Sequence, residues 1–209
     1  MISKRSLIRR GAAVAAAGTA ALVLAACGGG DDSAGHNSHT GTSPSAAASA
    51  SASQGQHNAA DIAFAQGMIP HHRQAVEMAD LAPSRAQSAE VKKLAADIKN
   101  AQDPEIKTLL GWLTFWGEQV PAEGAMDHSA HGAGGMMTAE VMTSLEKASG
   151  KAFDTDFMEL MIKHHEGAVA MAKTEKADGA FPDAKTMADA IITSQTAEIA
   201  RMNSLLGKS

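Results

Sequence analysis

Two stretches of this chain carry the same set of residues that could bind a metal ion. Residues 64–82 read FAQGMIPHHRQAVEMADLA, and residues 157–175, 93 positions later, read FMELMIKHHEGAVAMAKTE. Nine of the nineteen positions are identical, and they include a methionine, two adjacent histidines and a second methionine. Thioether sulfur is a soft metal ligand and imidazole is a borderline one. A helical fold alone would keep apolar positions alike, so the repetition of these residue types points to metal binding.

The repeated ligand types can be weighed one by one. They are Met68, His71, His72 and Met78 in the first copy and Met161, His164, His165 and Met171 in the second. A single methionine at helical spacing is usually a core residue, which is the simpler interpretation of Met78 and Met171. Met68 and Met161 are better candidates, because they lie one helical turn before the paired histidines. Adjacent histidines, duplicated with that methionine, favour a metal site over two satisfied core residues.

The elements that must position these residues are helices. In the first copy, apolar and histidine positions recur at spacings of three and four, which predicts one broad helix face. Pro83 is predicted to end that helix. The second copy is predicted to turn at Asp178-Gly179. After each turn a second helical pattern follows, and the sequence lacks the signals of strands. Two hairpins that each bury one face predict an all-α four-helix bundle, with a short extra helix at Thr138–Ala148.

The second helix of each predicted hairpin also carries repeated polar residues. They are Gln102 and Glu105 in the first copy, and Gln195 and Glu198 in the second. Antiparallel hairpin geometry predicts that His71 faces Gln102 and Met68 faces Glu105, with His164 facing Gln195 and Met161 facing Glu198 in the second copy. These four residues have two interpretations, and both stay open. They either join the helices through polar contacts or hold the histidines in the orientation that a metal requires.

A second group of ligand types lies between the hairpins. Residues 124–137 read GAMDHSAHGAGGMM, and the candidates for a loop metal site are Met126, His128, His131, Met136 and Met137. Thioether sulfur suits Cu(I) or Ag(I), and imidazole suits Cu(I), Cu(II) and Zn. Zinc or nickel alone would leave the methionines unexplained. The alternative is a connector whose composition is accidental.

The N-terminus predicts where the protein works. Four basic residues precede an apolar stretch at 11–26, whose 16 residues are shorter than a membrane-spanning helix of roughly 20 requires. The stretch ends in Leu24-Ala25-Ala26-Cys27, which resembles a bacterial lipobox. In that resemblance residues 1–26 are a signal peptide and Cys27 is lipidated. Whether export uses the general or the twin-arginine route stays open.

The remaining organisation follows from composition. Residues 27–58 are rich in Gly, Ser and Ala, and they are predicted to be a disordered tether from the lipid to the domain. Its histidines, His36, His39 and His57, either collect metal loosely or are simply solvated. Residues 59–207 then form one domain, with a first hairpin at 59–120, the loop at 121–137 and a second hairpin at 138–209. The predicted localisation is extracytoplasmic, with the lipid on Cys27 as membrane anchor.

Charge and cysteine content exclude several classes of function. The formal net charge is −5 and becomes about −9 once the signal peptide is removed, and no basic patch with aromatic residues is present. Nucleic acid is therefore not an expected partner. A single cysteine excludes disulfides and metal sites built from several thiolates. A metal here must be bound by imidazole, thioether, carboxylate or amide groups.

The motifs resemble a known family. The pattern Phe64-x3-Met68-Ile69-x-His71-His72, followed by Gln102-x2-Glu105, is similar to the bacterial domain-of-unknown-function family numbered 305. The second copy fits more closely, because the first departs at Pro70, Arg73 and Gln74. The resemblance implies a ferritin-like four-helix bundle. Some members, the CopM-type proteins, bind copper, which implies the repeated Met and His residues as copper ligands.

Three classes of function remain after this. The favoured one is a lipid-anchored, extracytoplasmic protein that buffers, transfers or confers resistance to copper, or silver by analogy, and that hands metal to an envelope copper-handling protein. The second is an envelope scaffold or partner-binding module whose polar layer is structural. The third, a metal-dependent oxidase, is disfavoured. A di-iron site needs Glu-x-x-His on two helices, and neither histidine pair has it. No catalytic residue and no organic cofactor are expected.

Overall fold

The chain folds into five α-helices within the part that can be described. The structure is a computed structural model, and it describes residues 55–122 and 133–208. In chain order the helices are α1 Ala59–Arg85, α2 Ala89–Trp116, α3 Ala139–Lys147, α4 Gly150–Asp178 and α5 Pro182–Leu205. A single 3-10 turn at Ala133–Gly135 precedes α3. None of the helices in these two ranges is both long and apolar enough to cross a membrane.

Local sequence signals explain where the helices begin. The side chain of Asn58 accepts hydrogen bonds from backbone N–H groups in the first turn of α1. The carboxylate of Asp61 in turn accepts the backbone N–H of Asn58. Ser88 and Thr138 cap α2 and α3 in the same way through their hydroxyl oxygens. Pro182 begins α5, where the missing N–H of proline costs nothing. These caps satisfy backbone donors that a helix cannot pair internally.

The predicted all-α four-helix bundle is confirmed, and the extra helix predicted at Thr138–Ala148 is α3. Helix α1 packs against α2 and helix α4 packs against α5, so each copy of the repeat is a helical hairpin. The two hairpins meet through α1 and α4, and α3 packs against both of these helices. The helices that carry the paired histidines therefore lie at the centre of the bundle.

The core is divided into two clusters that lie on either side of the histidines. The first core cluster joins the C-terminal half of α1 to the N-terminal half of α4, and includes Met78, Phe157 and Met161. The second core cluster joins the N-terminal half of α1 to the C-terminal half of α4, and includes Phe64, Met68 and Ala172. Helices α1 and α4 consequently cross antiparallel, with the histidines at the crossing point.

An aspartate near the start of each central helix binds the turn of the other hairpin. The carboxylate of Asp61 in α1 accepts the backbone N–H groups of Ala180 and Phe181, at 3.1 and 2.9 Å. The carboxylate of Asp154 in α4 accepts those of Gln87 and Ser88, at 3.0 and 2.9 Å. Asp61 and Asp154 are 93 positions apart, and so are the two pairs of donors. The repeat is thus preserved in the contacts between the hairpins as well as within each one.

Pro83 does not end α1, contrary to the prediction from the sequence. The helix includes both Pro70 and Pro83 and ends at Arg85. An interior proline removes one backbone hydrogen bond and costs about 3 kcal/mol or more. Burial of Met78, Ala79 and Ala82 in the first core cluster opposes this cost. Tertiary packing therefore overrides the local signal at the end of α1.

Candidate metal centre

The two copies of the histidine motif meet at the centre of the bundle. The rings of His71 and His164 have centroids 3.7 Å apart and an interplanar angle of 39°. The exposed fraction is 2 % for His71 and 0 % for His164. Because α1 and α4 cross at this point, the first histidine of each pair faces the opposite hairpin. A site built on these two rings would be shared between the copies.

The second histidine of each pair faces the partner helix of its own hairpin. His72 Nε2 lies 2.7 Å from Glu105 Oε2, and His165 Nε2 lies 2.7 Å from Glu198 Oε2. Both glutamates remain partly exposed to solvent, with side-chain exposures of 21 % and 19 %. The two hairpins therefore hold His72 and His165 through the same contact.

This arrangement corrects the register expected from the sequence. Index counting along each hairpin placed His71 opposite Gln102 and His164 opposite Gln195. In the structure the glutamates bond to the second histidine of each pair, and the first histidine turns to the other hairpin. Both glutamines are buried, and neither Oε1 atom has a partner within the described residues. The expectation counted only contacts within a hairpin, whereas the crossing of α1 and α4 decides which ring faces which neighbour.

The ring nitrogens show which atoms are available to a ligand. His71 Nε2–H donates to the backbone carbonyl of Gly134 at 2.8 Å, which leaves Nδ1 with the lone pair in the neutral ring. Among the described residues, Nδ1 of His72 and Nδ1 of His165 are buried without a partner, as is Nδ1 of His71. His164 has no partner at either nitrogen within the described residues. A buried polar atom without a hydrogen bond costs about 1–3 kcal/mol, so a ligand that accepted the lone pairs of these nitrogens would stabilise the fold.

The environment also fixes the charge of the central histidines. Burial lowers the pKa of His71 to about 3, assisted by repulsion from His72 and His165 and opposed by the bond to Gly134. Burial lowers the pKa of His164 well below its ordinary value, and the other three histidines add to this effect. Both imidazoles are therefore neutral at physiological pH. The neutral ring is the form that binds metals, so no proton must be displaced.

The methionines surround the histidine pair in a symmetric way. Met68 and Met161 are fully buried, and each lies three residues before its central histidine, so that it shares that helix face. Met68 belongs to the second core cluster and Met161 to the first, so they lie on opposite sides of the two rings. Met78 is fully buried in the first cluster, and Met171 is half-buried against the second. Of these four candidate methionines, each side of the histidine pair thus has one from each copy.

The kinds of side chain present restrict the metal. Within residues 55–122 and 133–208, no group of three or more His, Cys, Asp or Glu side chains is placed to hold a metal ion. A zinc or di-iron centre needs such a group. Two neutral imidazoles with thioethers on the same helix faces instead fit a soft, low-coordinate cation such as Cu(I). The residues present therefore fit copper or silver better than zinc or iron.

The residues predicted in the loop and in the tether divide into two sets. Met126, His128, His131, His36, His39 and Cys27 lie outside the described residues. Met136 and Met137 are half-buried, and the backbone of Met137 bonds to the side chain of Gln74. His57 directly precedes Asn58, the cap residue of α1. Its ring stacks on that of Trp116 with centroids 4.5 Å apart. His57 therefore lies against the end of the bundle.

Some residues of the site could not be identified as such from the sequence. The carbonyl of Gly134 is a backbone group, which leaves no sequence signal for its bond to His71. Gln74 and Arg73 had a signal, because the first copy departs from the second at these positions. Their role was missed because the partners of both are backbone atoms of the loop. Gly167, the counterpart of Gln74, had the same signal.

Comparison with known proteins agrees with the geometry. A family described as "Domain of unknown function (DUF305)" matches residues 61–206. A DUF305 protein from Streptomyces coelicolor, described as secreted, has a structure with 35 % identity and a TM-score of 0.64. The match covers 71 % of this chain and 93 % of that one. No functionally curated protein matches the chain.

Structures of CopM are also similar. CopM in the Cu(I)-bound form is 36 % identical with a TM-score of 0.58, and the match covers 69 % of this chain and 94 % of that one. The Cu(II)-bound form is 35 % identical with a TM-score of 0.61 and the same coverage. An Ag-bound form gives 34 % identity and a TM-score of 0.56, with 69 % and 93 % covered. Similar structures have thus been solved with each of the metals that the side chains here would favour.

Proposed function

This chain belongs to the DUF305 family, and we propose that it binds copper outside the cytoplasm in order to buffer or transfer it. The proposed cargo is Cu(I), with Ag(I) as its chemical analogue, and Cu(II) is a further candidate ion. The binding of Cu(I), Cu(II) and Ag by the similar protein CopM supports this proposal. An envelope copper-handling protein would be the donor or the acceptor of the metal.

The observation that carries the proposal is the state of His164. In the part of the chain that the structure describes, its two nitrogens are buried without partners, and its ring lies against that of His71, whose Nδ1 also has none. If the polar layer served only to join the helices, each of these atoms would cost about 1–3 kcal/mol with nothing in return. A bound cation would satisfy the lone pair of His71 Nδ1 and the one lone pair of the neutral His164 ring, whose other nitrogen carries the proton. This favours a metal site over the scaffold hypothesis.

The proposed ligands are ranked by their place in the bundle. His71 and His164 form the centre of a shared site, and Met68 and Met161 supply sulfur from either side. His72 and His165, each oriented by a glutamate, are proposed to bind further ions through Nδ1 and not the ion between His71 and His164, because no three histidines are placed around one ion within the described residues. Met78 and Met171 lie about two turns beyond the central histidines, and we propose them as outer thioether ligands, one on each side of the rings. Met136 and Met137 would extend the thioether supply towards the loop.

Thioether ligands also suit the proposed task. Methionine sulfur is neutral, so it holds Cu(I) without the strong attraction of a thiolate and lets it exchange.

We further propose that Cys27 carries the lipid that holds the domain at the membrane. The lipobox-like sequence supports this, while the secreted description of the Streptomyces coelicolor relative supports only a location outside the cytoplasm. The Cys27→Ser variant would then leave the membrane fraction, and its persistence there would exclude this anchor.

The proposal is tested by competition between the full chain and a chromogenic Cu(I) chelator. We expect the wild type to take Cu(I) from the chelator. The variant His71→Ala/His164→Ala should lose at least ~100-fold in affinity, which corresponds to about 2.8 kcal/mol. The variant Met68→Leu/Met161→Leu, whose shape change the core tolerates, should lose Cu(I) and Ag(I) affinity and keep Cu(II) binding.

The matched control is His57→Ala, which removes a histidine that stacks on Trp116 far along α1 from the pair. This variant should bind as the wild type does. Circular dichroism must show that every variant remains helical. A wild-type chain that cannot compete for Cu(I) would support the scaffold hypothesis, and unchanged binding in the His71→Ala/His164→Ala variant would move the site to the loop.

A further inference from the structure

The connector between the hairpins is held at both ends by adjacent residues of α1. Arg73 donates to the carbonyls of Pro121 and Ala122, at 3.1 Å each. Gln74 donates from Nε2 to the Met137 carbonyl at 2.9 Å and accepts the Met137 N–H at 2.7 Å. Gln74 is fully buried. The connector is therefore fastened to the helix turn that carries His71 and His72.

The segment Gly134–Met137, here named the strap, lies directly on α4. A methyl group at Gly167 would overlap the carbonyl of Gly134, and one at Gly135 would overlap the backbone carbonyl of Lys163. Gly134 and Gly135 also have φ of 69° and 80°, which few other residues adopt. The fit of the strap thus depends on glycine on both surfaces. It brings the Gly134 carbonyl to His71.

The strap breaks the symmetry of the repeat at the histidines. Gln74 and Gly167 occupy equivalent positions, 93 residues apart, yet one binds the strap and the other makes room for it. Arg73, which fastens the other end of the connector, has Glu166 as its equivalent. A single strap accordingly covers the pair of rings that both hairpins contribute.

A metal must pass some barrier to reach these rings, because His71 and His164 are almost wholly buried. Separation of α1 from α4 would expose two core clusters. Opening of the strap would break the two bonds of Gln74 and the bond of His71 to Gly134. Local opening of a short segment costs much less than separation of packed helices. Opening of the strap therefore gives the metal a route to the rings at a lower free-energy cost.

We propose that the strap is the gate through which Cu(I) enters and leaves the His71/His164 site, and that Gln74 and Gly167 hold the gate closed. The inference rests on the proposed function, since it concerns exchange at the same site. Gln74 and Gly167 act by positioning the strap and do not bind the metal. Met136 and Met137 place thioethers on the segment that opens, where they can take the cation during its passage.

The experiment measures the kinetics of Cu(I) exchange with the full chain. Loading is followed after mixing with Cu(I), and release after mixing with an excess of bathocuproine disulfonate. The variant Gly167→Ala displaces the strap, and Gln74→Leu removes both bonds between Gln74 and Met137. Each should raise the loading and release rates by about tenfold, with a smaller change in equilibrium affinity, because an opened gate speeds passage in both directions.

Gly111→Ala is the control, because a methyl group there meets nothing within 4 Å in α2. Its exchange rates should equal those of the wild type. If wild-type Cu(I) binding is normal and neither strap variant changes both rates, the gate is wrong and the proposed function stands. Faster release with unchanged loading would also overturn the gate, because it would show a change of affinity alone. A wild type that takes up no Cu(I) would overturn both proposals.

Discussion

The two hairpins are alike where they would bind metal and differ where they bind the connector. His71 and His164 face each other, while His72 and His165 make the same 2.7 Å contact to a glutamate. Asp61 and Asp154 each bind the turn of the opposite hairpin. The copies differ at 73/166 and 74/167, where the connector is fastened. Both copies retain the histidine and aspartate contacts. The side chains that fasten the single connector, Arg73 and Gln74, occur only in the first copy.

The comparison is tested most strongly by replacing one central histidine at a time. We expect His71→Ala alone and His164→Ala alone each to abolish most Cu(I) binding, because both rings belong to a shared site. Equilibrium dialysis with Cu(I) measures the number of ions bound per chain. If each variant instead loses half of the bound ions and keeps full affinity for the rest, each hairpin holds its own site.

The aspartates that bind the opposite turns give the next largest effect. Asp154→Ala removes an acceptor of two backbone N–H groups and should lower the free energy of unfolding by about 1.5–3 kcal/mol, the usual range for bonds to a charged group. Asp61→Ala should cost at least as much, because Asp61 also accepts the N–H of Asn58. Urea unfolding monitored by circular dichroism measures both.

The exposed ion pair of Lys93 with Asp97 provides the control, because such pairs contribute little. Lys93→Ala should change the free energy of unfolding by less than about 1 kcal/mol. A small effect of Asp154→Ala together with a large effect of Asp61→Ala would show that the symmetry of these contacts is geometric and not energetic.

The pH dependence of the free energy of unfolding should distinguish the surroundings of Asp61 from those of Asp154. Asp61 lies beside Glu175, which is buried, whereas the position equivalent to Glu175 in the first copy is Ala82. Burial, assisted by the nearby carboxylate of Asp61, raises the pKa of Glu175 to about 8. Burial opposes ionisation of Asp61 too, yet the N–H groups of Phe181, Asn58 and Ala180 and the bond from Glu175 lower its pKa overall.

The direction of the pH effect follows from these shifts. The raised pKa of Glu175 contributes stability that is complete below pH 4.5 and is lost as the pH rises through about 8. The lowered pKa of Asp61 contributes stability that is lost as the pH falls below 3.8. Urea unfolding of the wild type should therefore show falling stability from pH 5 to 8. Glu175→Gln, which can still donate to Asp61, should flatten this slope, and an unchanged slope would assign it to other groups.

Much of the fold could be predicted because its signals are local and periodic. The spacing of apolar residues gave the helices, and the gap-free offset of the repeat gave two equal hairpins. The predicted end of α1 at Pro83 was wrong, because the core contacts of Met78 and Ala82 outweigh the local effect of that proline. The register of the polar layer was wrong for a related reason. Counting residues along one hairpin gives only the contacts within that hairpin, whereas His71 and His164 contact each other across the two hairpins.

The sequence by itself determined the types of ligand, their duplication and the helices that carry them, because these depend on residue chemistry and on spacing of three and four. Only the tertiary structure decided that the central histidines from both copies meet, that their nitrogens lack partners, and that Gly134 and Gln74 hold the connector over them. Those features depend on how two helices cross and on where a backbone carbonyl lies. Neither is encoded in the neighbouring residues alone, because each results from packing between segments far apart in the chain.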